Sequence, residues 1–336
     1  MKRILALILA LMMLLSFVGC KNDKADKDNN EKAATSDSAT KNDDSATKED
    51  TDKEQGSSPV LYKVTDSDGN VAWLFGSIHV GSDIYYPLPA YVMDAYNSSD
   101  ALAVEFNIKE FEKDIQAQME ALSLLVYTDG TDITDHIDEE VYDQAVEILE
   151  DNGMYSSMLD YYMPSMWSTF IDQCSYVKLE FDLENGIDKY FLNLADDEDK
   201  EIIDVESATL QYGMLADYSE ELQIYLLESS IEAYNKAEEE KESVDDLIAA
   251  WASGDEDSLI SMLNETEFES DEEEELYEEY NNAMIVERNL DMADYAEEAL
   301  KSGKEVFICV GAAHIVGDGA VAQLLKDRGY TVERIR

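Results

Sequence analysis

The chain has 336 residues, and 24 Lys and Arg against 77 Asp and Glu leave a formal charge of −53 at pH 7. Neutralising nucleic-acid phosphates or anionic lipid takes clustered Lys and Arg, so this balance excludes both as electrostatic partners. The hydrophobic fraction of 45% is ordinary for a folded domain, and three cysteines are too few for a disulfide-stapled scaffold.

Residues 1–20 read as an export signal. Lys2 and Arg3 precede an apolar run over 4–18, too short to span a bilayer as a helix. The run ends in Phe17-Val18-Gly19-Cys20, which resembles a bacterial lipobox with Phe17 where Leu is usual. Lipidation of Cys20 is therefore expected. It would anchor the chain to the outer face of a bacterial cytoplasmic membrane, or place it in the periplasm or outer membrane of a Gram-negative cell. Residues 21–58 contain no large apolar side chain and repeat Ser-Ala-Thr-Lys at 38–41 and 45–48. Such a segment cannot offset the entropy of ordering, so a disordered charged linker is expected, followed by one domain over 59–336.

The domain opens with two β-rich runs, 60–64 and 71–75, joined through Asp68-Gly69-Asn70, a hairpin signal. A short buried strand is expected over 101–106. Helical spacing marks 111–127, with Ile115, Met119, Leu122 and Val126 on one face, and 141–150, closed by Gly153. Further helices are expected over 222–236, 243–251 and 257–263, the last two separated by Ser253-Gly254, and over 272–302 as one long helix or two abutting ones. The chain closes with a strand over 305–310, a helix over 319–326 and a strand over 330–335, the pattern of a parallel βαβ unit. The expected class is α/β: a βαβ-containing sheet core formed by the N- and C-terminal parts, with a large, mostly helical middle.

Two of the three histidines share one context. His79 lies in Gly76-Ser77-Ile78-His79, and His314 in Gly311-Ala312-Ala313-His314; each loop follows an apolar strand and runs on to another glycine. A glycine at a strand's end lets the backbone turn or approach a neighbour closely. In open α/β sheets that edge is where ligands bind, so a shared site is expected. His136, in Thr134-Asp135-His136-Ile137, has no such context and is expected to be an exposed histidine near a helix start.

With 77 acidic residues, context must choose among carboxylates. Glu105 sits in the apolar run Leu102-Ala103-Val104-Glu105-Phe106, and Glu206 follows Ile202-Ile203-Asp204-Val205. A carboxylate buried at such a position needs a cation, a metal or several donors. Arg288 is the only arginine between the signal and Arg328, and it shares a helical face with Met284, Met292 and Tyr295. Such an arginine either snorkels to the surface, or is held for a substrate carboxylate or oxyanion, or neutralises a buried Glu105 or Glu206. Cys309 lies in an apolar run and is expected to be a buried small hydrophobe.

The GSIHVG loop, Leu88-Pro89, Glu105, Val286-Glu287-Arg288-Asn289 and GAAHIVGDG together resemble the TraB/GumN family, which includes the Tiki proteins and is related to erythromycin-esterase and ChaN-like proteins. The resemblance covers 59–336. It implies a metal-dependent, peptidase-like hydrolase in which His79, Glu105 and His314 hold the metal, with looser roles for Glu206 and Arg288.

The residues are compatible with that chemistry. Two imidazoles and one carboxylate form a three-ligand site suited to Zn, Mn, Co or Fe, with a position left for water. Glu206 is then expected to act as base or to complete the coordination sphere, and Arg288 to hold a substrate carboxylate or stabilise an oxyanion. A peptide or small molecule is the expected substrate. The competing expectation is a non-catalytic lipoprotein that captures a metal, haem or peptide.

Overall fold

The structure, a computed structural model, describes residues 57–181, 185–264, 268 and 270–336. The expected signal, Cys20 and nearly all of the expected linker lie outside the described residues. The last two linker positions are described and belong to the fold: the Ser57 hydroxyl donates to the Tyr85 carbonyl at 2.7 Å, and the Ser58 N–H to the Ala252 carbonyl at 2.6 Å.

Six strands form one sheet: β1 (Leu61–Thr65), β2 (Val71–Ser77), β3 (Ala101–Val104), β4 (Glu201–Asp204), β5 (Val306–Gly311) and β6 (Thr331–Ile335). Their spatial order is β4-β3-β5-β2-β1-β6. β1 and β2 make the expected hairpin. Its turn is fixed by the Asp66 carboxylate, which accepts from the Asp68 and Asn70 N–H groups, and by Gly69 at φ +89°. β2, β5, β3 and β4 are mutually parallel, with Ser77 opposite Gly311, Val104 opposite Cys309 and Val104 opposite Asp204.

The helices are α1 (Ala90–Ser98), α2 (Ile108–Phe111), α3 (Ile115–Ser123), α4 (Glu139–Asp151), α5 (Pro164–Leu179), α6 (Ile187–Asp197), α7 (Ala208–Asp217), α8 (Glu220–Ser253), α9 (Glu256–Asn264), α10 (Asp271–Asn281), α11 (Arg288–Ser302), α12 (Ala312–Ile315) and α13 (Val321–Asp327). The class is the expected one, an α/β sheet with a large helical part set between Val104 and Glu201 and between Asp204 and Val306.

Several details differ from expectation. β5, α13 and β6 do not make neighbouring parallel strands. β6 pairs antiparallel with β1 and is separated from β5 by β2 and β1, because β5 is taken up on both sides by β2 and β3. The helix expected over 111–127 is two helices, since the Asp114 carboxylate caps the Gln116 and Ala117 N–H groups and starts a new one. The first half of its expected apolar stripe points outward, with Ile115 71% and Met119 66% exposed, while Leu122 and Val126 are half-buried and Phe111, Ala121 and Leu125 are buried. The helices expected over 222–236 and 243–251 are one, α8, of 34 residues. Its end is where expected: Gly254 adopts φ +64°, and a Cβ there would meet the Ser58 carbonyl oxygen at 2.0 Å.

The largest apolar cluster surrounds the sheet. Phe75 on β2 packs against Phe191, Trp251 and Phe307, with ring centroids 5.5, 6.4 and 5.5 Å away. The Trp251 indole N–H donates to the Gly76 carbonyl at 2.8 Å, tying α8 to the end of β2 just before His79. Cys309 is fully buried in this cluster, as expected.

Candidate functional site

Four parallel strands end at one edge of the sheet, and four of the expected residues follow directly. Beyond Ser77, Val104, Asp204 and Gly311 come His79, Glu105, Glu206 and His314. The ladder continues past β3 and β4: the Glu206 N–H donates to the Glu105 carbonyl at 2.7 Å, setting the two carboxylates on neighbouring strand ends. The two G-x-x-H loops touch. A Cβ on Gly76 would lie 3.0 Å from Ala312 Cα and 3.2 Å from its Cβ, so glycine permits this contact.

Arg288 joins the two carboxylates. It follows a π-helical turn, Asn282–Glu287, between α10 and α11, which offsets the helical face from a plain α spacing. The residue is 2% exposed. Nε and Nη2 donate to the two oxygens of Glu206, each at 2.7 Å, and Nη2 also donates to Glu105 Oε2 at 2.8 Å. Nη1 donates to the Met284 carbonyl at 3.2 Å. The Gln211 carboxamide donates to Glu105 Oε2 at 3.2 Å and Glu206 Oε2 at 2.8 Å. Of the three readings that the sequence left open for Arg288, this is the arrangement of the buried partner, and it serves both glutamates. Glu105 Oε1 accepts from the Gly311 N–H at 2.9 Å, a bond that ties the carboxylate to the second G-x-x-H loop and uses one of that oxygen's two lone pairs.

Each histidine is held through the same ring atom. His79 Nδ1 lies 2.6 Å from Asp188 Oδ2, at the start of α6. His314 Nδ1 lies 2.7 Å from Asn289 Oδ1, whose Nδ2 donates to the Gly319 carbonyl at 3.0 Å and so fixes the amide's orientation. A proton on Nδ1 leaves Nε2 with its lone pair. Both Nε2 atoms are buried and have no hydrogen-bond partner.

The groups feel one another. Burial alone would raise the Glu105 carboxyl, but the charge of Arg288 and the nearby His314 and His79 hold it well below the ordinary carboxylate range. Burial and the Arg288 charge push the His314 imidazole down to about 3. Burial acts the same way on His79, but the Asp188 carboxylate overcomes it and raises that imidazole, with a smaller contribution from Glu105. Arg288 is lifted further above its ordinary value, because Glu105 and Glu206 outweigh its burial. The Glu105, Glu206 and Asp188 carboxylates outnumber the single Arg288 guanidinium beside two imidazole nitrogens without partners, and the raised His79 imidazole offsets part of that imbalance. That set of donors fits a divalent cation. Among the described residues, no group of three or more His, Cys, Asp or Glu is already arranged as a metal cage.

His136 stands apart. It is largely buried rather than exposed, stacks on Tyr127 at 4.1 Å, and has partners on both ring nitrogens, Glu220 and Thr131, each at 2.8 Å. Asp188, Asn289 and Gln211 were not singled out from the sequence. Asn289 adjoins the rare Arg288, and Gly186-Ile187-Asp188 opens a helix with an acid in its first turn; among so many acids the second signal is weak.

The TraB/PrgY/gumN family model matches residues 60–334, so the chain belongs to that family. It is 25% identical to the uncharacterized protein YbaP of Escherichia coli K12 over 255 residues, covering 75% of this chain and 87% of that protein. YbaP of Shigella flexneri matches to the same extent. No solved structure matches the chain.

Proposed function

We propose that this member of the TraB/PrgY/gumN family is an exported, lipid-anchored hydrolase that uses one divalent metal ion, with peptides as its substrate class. The observation that carries the reading is the pair of buried, unpartnered Nε2 atoms on His79 and His314, each on a ring whose Nδ1 lies within 2.7 Å of a side-chain oxygen, Asp188 Oδ2 or Asn289 Oδ1. His79 and His314 would hold the metal, with Glu105 as third ligand through the lone pair left on Oε1. Zn, Mn, Co and Fe all suit such donors. When bound, the metal supplies an activated water at neutral pH and polarises a scissile carbonyl.

The chain's own residues prepare that site. Arg288 keeps Glu105 ionised and fixes its direction. Glu206 and Gln211 hold Arg288 and Glu105 in place, and in this reading Glu206 acts through them rather than as a base. The anionic surroundings disfavour substrates with a carboxylate at the scissile position and favour an interior peptide bond. Membrane attachment through Cys20 and a linker over 21–56 completes the proposal; among the described residues no helix is long and apolar enough to cross a membrane.

The test is cleavage of a peptide library by the purified chain with each divalent metal added in turn. Turnover that requires metal, disappears in His79→Ala and His314→Ala and survives in His136→Ala supports the reading. Metal bound without turnover of any peptide points instead to a lipoprotein that captures metal.

A further inference from the structure

The loop that carries His79 is gripped by three consecutive residues at the start of α6. Gly186 lies so close that a Cβ there would sit 2.1 Å from the His79 carbonyl oxygen. The Ile187 N–H donates to the Ile78 carbonyl at 3.0 Å. Asp188 places Oδ2 2.6 Å from His79 Nδ1, while its Oδ1 accepts from the buried Ser77 hydroxyl at 2.6 Å. Ser77 is the last residue of β2, so sheet and helix together fix the carboxylate against the ring. Across the site, His314 Nδ1 faces the neutral carboxamide of Asn289. The two imidazoles are thus held at the same atom, one by an anion and one by a neutral group.

We infer that Asp188 is a positioning residue of the metal site: with Ser77 behind it, it aims His79 Nε2 and makes His79 the stronger donor of the pair. The inference rests on the metal reading above. An anion opposite Nδ1–H draws that proton and returns electron density to Nε2, whereas an amide oxygen orients the ring with a weaker pull. Loss of such a partner typically costs about 10–100-fold in metal affinity.

The experiment is competition for Zn²⁺ and Co²⁺ between the full chain and a chromophoric chelator, read as a dissociation constant. Wild type is compared with Asp188→Asn, Ser77→Ala and His79→Ala. Asp188→Asn keeps the shape and an oxygen for Nδ1–H but removes the charge. It is expected to weaken binding by about 10–100-fold and to shift the visible spectrum of bound Co²⁺, with the metal-free melting temperature unchanged within a few degrees. Ser77→Ala is expected to move both readouts in the same direction by a smaller factor, and it carries the test if Asp188→Asn does not fold. The inference is overturned if His79→Ala abolishes binding while Asp188→Asn and Ser77→Ala bind as tightly as wild type. If His79→Ala itself binds as wild type, the metal reading fails and this inference falls with it.

Discussion

Replacing Arg288 by Met removes the one guanidinium that bridges two buried carboxylates. The methionine fills much of the same volume, so the cost is electrostatic. It strips Glu206 of the donors on both its oxygens and Glu105 of one, leaving Gln211 as the donor they share and Gly311 N–H on Glu105 alone. Breaking a buried pair from one side costs about 3–5 kcal/mol. At about 2–4 °C per kcal/mol for a domain near this size, the melting temperature should fall by roughly 6–20 °C at pH 7.5 with metal chelated.

The loss should shrink in acid, and the sign follows from Glu105. In wild type its folded carboxyl is held below its ordinary value, so its stabilising contribution is full above the unfolded value and fades as pH falls below it. In the Met variant no cation opposes burial, so protonation relieves the strain and stability is regained over the same fall. Melting followed by circular dichroism at pH 7.5 and pH 4.5 should show the gap narrowing. Adding Glu105→Gln and Glu206→Gln to the Met variant should restore most of the loss at neutral pH, and Arg288→Lys should fall between wild type and Met, since one ammonium cannot copy the fork. A loss under about 1 kcal/mol at neutral pH, or a gap that does not narrow in acid, would refute the reasoning.

Three further outcomes are expected. Gly76→Ala pushes a methyl to 3.0 Å from the Ala312 backbone, so the two loops must part; a loss of about 1–3 kcal/mol is expected in thermal melting, and an unchanged melting temperature would show the loops to be yielding. Burial pushes the Asp172 carboxyl on α5 up to about 8, partly offset by Ser230, so its contribution to stability is present only in acid and is lost as pH rises through that value; Asp172→Asn should raise the melting temperature more at pH 9 than at pH 5, and a gain that does not grow with pH would contradict this. Cys20→Ser should move the chain from the membrane to the soluble fraction of expressing cells and abolish acyl labelling, whereas an unchanged distribution would remove the anchor from the proposal.

The parts of the fold legible in the sequence are those whose cause is local. The Asp68-Gly69-Asn70 turn, the apolar run before Gly311 and the stop at Gly254 each act through their own backbone. Glu105 stood out because a carboxylate in an apolar strand demands a partner, and Arg288 because arginine is so rare in this chain. The position of β6 was not legible, since which strand it joins depends on β5 being enclosed by β2 and β3. The outward face of α3 was hidden because Ile115 and Met119 carry helical spacing without burial. α8 runs unbroken through a Glu- and Lys-rich stretch because Ala237 and Val244 are buried at its centre, a tertiary cause that periodicity does not show. Asp188 and Asn289 each contact a histidine far away in the chain, and their neighbours in sequence, an acid at a helix start and the rare Arg288, mark that contact only weakly.

The central claim is that His79 and His314 hold one divalent ion between them despite lying far apart in the chain. Metal content measured after loading with Zn²⁺ and exhaustive dialysis tests it most directly, on wild type, His79→Ala, His314→Ala and His136→Ala. One ion per chain in wild type and in His136→Ala, with sharp loss in each of the other two, is the predicted result. Undiminished stoichiometry in both His79→Ala and His314→Ala would contradict the account.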